Sequence, residues 1–126
     1  MTLENILVLS SLLVIIQITI PMLIDLLAKK TSLKYLFSSR DKTTENSILA
    51  QRAIRALKNL LETFPIFVGL TLLSIIKDID NSSIAFLWLM SRVIYVPVYI
   101  YGINYIRTAL WAVSLICLML MGIKFI

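Results

Sequence analysis

Four long apolar blocks leave a chain of 126 residues very little choice of fold. An α-helix needs about 20 predominantly apolar residues to cross a hydrocarbon core of about 30 Å. The blocks over residues 5–28, 47–76, 82–101 and 105–123 meet that length. Inside lipid each backbone N–H and C=O must be satisfied by the protein itself, and a helix does this within one segment. Apolar residues make up 60% of the chain and the mean hydropathy is +0.94, where an ordinary soluble domain is about half apolar. The sequence therefore predicts an all-α integral membrane four-helix bundle forming one domain, with no room for a separate soluble domain.

The connections carry the charge. Residues 29–46 hold Lys29, Lys30, Lys34, Arg40 and Lys42 against Asp41 and Glu45. The second connection is a short acidic turn with Lys77, Asp78, Asp80 and Asn81, and the third is a tight turn at Gly102, Ile103 and Asn104. Basic loops stay cytoplasmic, which puts the first and third connections in the cytoplasm and both termini on the far side. Thr43, Thr44, Asn46 or Ser47 is expected to cap the second helix. Asp25, one turn before Lys29, reads either as a local ion pair or as a functional group. Pro21 and Pro97 fall inside spans, as membrane helices tolerate. The first residues lack the basic start of a signal peptide, so the first span is expected to remain in the mature protein.

Composition removes several function classes. The net charge of +5 and a pI near 9.6 reflect basic loops rather than a nucleic-acid-binding face. Histidine is absent, which excludes His-based metal sites and triads. The single cysteine, Cys117, lies in an apolar run without a neighbouring cation and reads as an inert buried thiol.

One span departs from the apolar pattern. Arg52, Arg55, Asn59 and Glu62 sit at i, i+3, i+7 and i+10 in the second block, within an arc of about 80° at roughly 100° per residue. Ile54, Leu57, Leu60 and Leu61 occupy the rest of the circumference. A helix over residues 47–76 is roughly 45 Å long, so its first turns are expected to protrude on the basic-loop side and Glu62 to lie deeper. In the third span Arg92, Tyr95 and Tyr99 share a face, while Tyr101 points away as an interface anchor. Arg107 opens the fourth span, and Lys29 and Lys30 close the first at the same level. Two arginines can grip a carboxylate through paired hydrogen bonds. Glu62 can accept from an ammonium group, and Asn59 can both donate and accept. Arg107 can lower the pKa of a thiol beside it. The same residues also allow a structural lattice, with Glu62 paired to Lys58 or Arg92 and with Arg107 and Lys29 as snorkelling anchors. A central charge costs roughly 2.5 to 3.5 kcal/mol on insertion scales, which favours a site.

These residues resemble the MAPEG family, the membrane-associated proteins of eicosanoid and glutathione metabolism. The family's second helix reads R-x-x-R-A-x-x-N-x-x-E followed by an aromatic, Pro and Phe; here stand Arg52, Arg55, Ala56, Asn59, Glu62, Phe64, Pro65 and Phe67. Its third-helix Arg and two Tyr match Arg92, Tyr95 and Tyr99, and an Arg early in its fourth helix matches Arg107. Its basic pair closing helix one matches Lys29 and Lys30. The chain departs from the family's synthases at Thr63, Leu57 and the lysine pair, and looks closest to a bacterial branch. The resemblance implies a homotrimer in a bacterial inner membrane, in contact with membrane lipids. It implies glutathione as co-substrate, bound between neighbouring subunits, and a lipophilic electrophile or lipid hydroperoxide as second substrate. The implied glutathione-binding residues are Arg52, Arg55, Asn59, Glu62, Arg92, Tyr95, Tyr99, Lys29 and Lys30, with the tyrosines reaching over from the adjacent chain; Arg107 is the implied catalytic residue. The family also contains non-enzymatic lipid-binding members, which is the alternative. A small drug–proton antiporter would also have four spans and one acid, but its acid should lack the cationic neighbours that Glu62 has.

Overall fold

The computed structural model describes residues 1–28 and 47–126. Lys29, Lys30 and the rest of the first connection lie outside the described residues. Four helices follow in order: α1 (Leu3–Leu27), α2 (Ile48–Ile76), α3 (Ser82–Ile100) and α4 (Asn104–Ile123). Each is long and apolar enough to cross a membrane. Large apolar side chains such as Val8, Ile15, Ile66, Leu87, Ile106 and Met119 stand exposed around the outside, which in water would be a liability and in lipid is the expected surface. The chain is an integral multi-pass membrane protein.

Polar groups close the helix ends. Thr2 accepts from the Asn5 N–H at 3.2 Å to start α1, and Ser47 accepts from the Ala50 N–H at 3.2 Å to start α2. The Lys29 partner expected for Asp25 lies outside the described residues. The buried Asp25 carboxylate accepts from the Ser47 N–H at 3.0 Å, so the end of α1 caps the start of α2. Asp80 does similar work at α3. It accepts from the Ser82 hydroxyl at 2.6 Å and the Ser82 N–H at 3.1 Å. These bonds, the hydroxyl's first, hold its carboxyl below the usual carboxylate range. At the same end of the bundle Asn81 donates to Ser74 Oγ at 2.8 Å and to the Met121 carbonyl at 3.4 Å.

The core is built around α2 and α3, which run antiparallel. Phe67 and Trp88 stack with ring centroids 3.8 Å apart and planes 7° from parallel, both fully buried. Ile6, Leu60, Leu89, Cys117 and Met121 complete the cluster from all four helices. Ala50, Ala53 and Ala56 are buried in succession along α2. Small residues at this spacing let a neighbouring helix approach closely. The most extensive pairings are α3 with α4 and α1 with α2.

The α3–α4 turn needs its glycine. Gly102 has φ +74°, and its N–H bonds the Tyr99 carbonyl while the Ile103 N–H bonds that of Val98, a left-handed helix stop. A Cβ there would lie 3.0 Å from the Arg52 guanidinium. Gly102→Ala is expected to destabilise the fold by about 1–2 kcal/mol through backbone strain, with further loss as Arg52 is pushed aside. Equilibrium unfolding in mixed micelles measures it.

Candidate functional site

A cleft of about 420 Å³ opens between α2, α3 and α4. Helix α2 supplies Arg55, Lys58, Asn59 and Glu62; α3 supplies Tyr95 and Tyr99; α4 supplies Arg107, Thr108 and Trp111. The periodicity of α2 turns its stripe towards α3 because Ala53, Ala56 and Leu60 are buried in the bundle beside it. Six of the predicted site residues therefore meet: Arg55, Asn59, Glu62, Tyr95, Tyr99 and Arg107. Within a single chain, Tyr95 and Tyr99 face the stripe across this cleft.

Among the described residues the cleft is cationic and not self-neutralised. Among the described residues, Glu62 closes no ion pair, neither with Lys58 nor with Arg92. Asn59 Oδ1 has no hydrogen-bond partner there either. The tyrosine wall is ordered by its own contacts: the Tyr95 and Tyr99 rings lie 5.5 Å apart at 60°, and the Arg107 guanidinium sits 4.9 Å over the Tyr99 ring. Such a cavity offers three positive groups, one carboxylate and paired phenols. It can receive a small zwitterion with more than one carboxylate.

Arg52 and Arg92 stand elsewhere, and Lys29 and Lys30 lie outside the described residues. Arg52 leaves the stripe's shared purpose and donates from Nη1 to the Ile100 carbonyl at 3.2 Å, tying α2 to the end of α3. Arg92 is 1% exposed and lies outside the cleft lining, with its guanidinium 4.5 Å from the Tyr95 ring centre. Thr63 turns its hydroxyl back to the Leu60 carbonyl at 3.3 Å. Tyr101 is exposed, as an outward anchor should be. Three lining residues were not foreseen as part of a site. Lys58 follows Arg55 by three positions and Trp111 follows Arg107 by four, so helical spacing carried a signal for both; Thr108 is simply the next residue after Arg107.

Fold and site together define a four-span membrane protein with a cationic, tyrosine-walled cleft between three of its helices. The MAPEG family model matches residues 6–126. The chain belongs to the MAPEG family, whose field is glutathione and eicosanoid metabolism at membranes. Comparison with curated proteins and with solved structures returned no match.

Proposed function

We propose that the protein is a glutathione-dependent transferase or peroxidase acting on lipophilic electrophiles or lipid hydroperoxides. The observation that carries this reading is the set Arg55, Lys58, Arg107 and Glu62 around one cleft without internal ion pairs. Glutathione brings two carboxylates, an ammonium, two amides and a thiol. Arg55 grips a carboxylate with paired hydrogen bonds, and Lys58 adds a point charge. Glu62 receives the ammonium, and the unpartnered Asn59 Oδ1 offers an acceptor to an amide N–H. Arg107 favours the thiolate over the thiol, which increases the nucleophilic fraction at neutral pH. Trp111 offers apolar surface to a lipophilic second substrate. In this reading the protein works as a homotrimer in a bacterial inner membrane. The basic first connection is cytoplasmic and both termini lie opposite.

Calorimetry of the purified protein with glutathione is expected to give about micromolar binding. Arg55→Ala and Glu62→Gln should each weaken it about tenfold, the value of one charged hydrogen bond. A folded wild-type protein that binds no glutathione refutes the proposal. A non-catalytic lipid-binding role is favoured by a different feature, an apolar groove of about 570 Å³ between α1 and α3 with Gln17 in its wall. That reading has Glu62→Gln lowering stability while glutathione affinity stays unchanged.

A further inference from the structure

Arg92 occupies the middle of α3 with 1% exposure, and among the described residues none of Nε, Nη1 and Nη2 has a hydrogen-bond partner. Among the described residues it forms no ion pair. An apolar side chain of similar volume would pack at mid-span without the cost of a desolvated cation. What the guanidinium does have is the face of Tyr95, 4.5 Å from the ring centre. Tyr95 meets Tyr99 at 5.5 Å and 60°, and Tyr99 carries Arg107 at 4.9 Å. The four side chains form a ladder of cation, ring, ring, cation. Only the last three line the cleft.

We infer that Arg92 is a positioning residue: without touching the ligand, it fixes the plane of Tyr95 and, through Tyr99, the guanidinium of Arg107. A cation on one face of a ring restrains the ring's rotation. The tilted aromatic pair passes that plane on, because turning one ring at 5.5 Å alters its contact with the other. Tyr99 then presents a fixed face to Arg107. The inference rests on the proposed glutathione chemistry for its activity readout alone.

The test compares Arg92→Met, which keeps volume and removes charge, with Arg92→Lys, which keeps the cation. The groups facing the bound thiol, Arg55, Lys58 and Glu62 on α2, Tyr95 and Tyr99 on α3 and Arg107 on α4, stay in place in both. The thiolate absorbance of bound glutathione is followed against pH. Arg92→Met is expected to raise its midpoint by about one unit, roughly tenfold less thiolate at neutral pH. Glutathione Kd should change less than about threefold. Arg92→Lys should recover at least half of the shift. An unchanged midpoint in Arg92→Met, or a lysine variant no better than methionine, overturns the inference.

A second arm needs no ligand. In nuclear magnetic resonance spectra of the full chain in micelles, the Arg107 Nε–H signal should be displaced by the Tyr99 ring. Tyr99→Leu should abolish that displacement, Arg92→Met should reduce it, and Arg92→Lys should keep it. A signal that responds to Tyr99→Leu but ignores Arg92→Met overturns the ladder. If wild type shows the ladder yet no thiolate, the functional proposal fails and the positioning stands. Should Arg92→Met not fold, Arg92→Leu, which also removes the cation and leaves the cleft lining intact, takes its place in both arms.

Discussion

Arg107→Ala is expected to lower kcat/KM for glutathione-dependent turnover by about a hundredfold or more, the usual result of removing one preorganised group that stabilises developing charge. The loss should fall on kcat. The guanidinium sits over the Tyr99 ring, on the opposite wall of the cleft from Arg55, Lys58 and Glu62. Those α2 groups hold the peptide's charged ends in the proposed complex, so KM for glutathione should stay within about threefold. The thiolate absorbance should disappear at neutral pH in the same variant. Arg107→Lys keeps a charge but gives up the planar contact with Tyr99, and should fall between wild type and alanine. Turnover of a model electrophile, measured alongside thiolate absorbance, decides the matter. A variant with intact kcat and weakened binding would make Arg107 a carboxylate clamp instead.

Trp88→Ala should carry the largest cost to stability. Trp88 and Phe67 are both fully buried and stacked at 3.8 Å, at the centre of the cluster that joins all four helices. Loss of a buried tryptophan in a protein core costs about 3–5 kcal/mol. In a bilayer the transfer part shrinks, because lipid tails are themselves apolar, while the lost packing contacts and the cavity remain. The expected loss is therefore about 3 kcal/mol, at the low end of that range. Trp88→Phe retains the stack and removes an indole N–H that has no partner. It leaves a smaller cavity than alanine does and should cost about 1–2 kcal/mol, less than Trp88→Ala. Unfolding titrations in mixed micelles, compared for the two variants, separate ring packing from the polar group. Equal losses for both would show that the stack contributes little.

Much of the architecture was legible one residue at a time. Each helix begins and ends within two residues of its apolar block, and Ser47 caps α2 as its type and place suggested. Spacing also named the faces: Arg55, Asn59 and Glu62 on one helix, Tyr95 and Tyr99 on another. Asp25 shows where that reading stops. Its carboxylate accepts from the N–H of Ser47, 22 positions away, a partner that no local spacing names. Arg52 shows the same limit within the stripe. It lies on the same arc as Arg55 but one turn earlier, where the antiparallel α3 ends, and the Ile100 carbonyl takes it.

By itself the sequence determined that this chain crosses a membrane four times and which face of the second and third spans is polar. Lipid enforces the first through backbone hydrogen bonding, and the 3.6-residue period fixes the second. Tertiary structure decided what the polar faces meet. It sorted four arginines of similar appearance into different settings: Arg55 and Arg107 on opposite walls of a cleft, Arg52 at a helix end, and Arg92 buried beneath a tyrosine ring. Periodicity is a property of one helix, whereas the partner of a charge depends on the depth and direction at which two helices pack. Phe67 on Trp88 and Ser74 beside Asn81 set that register for α2 and α3, and the cleft follows from it.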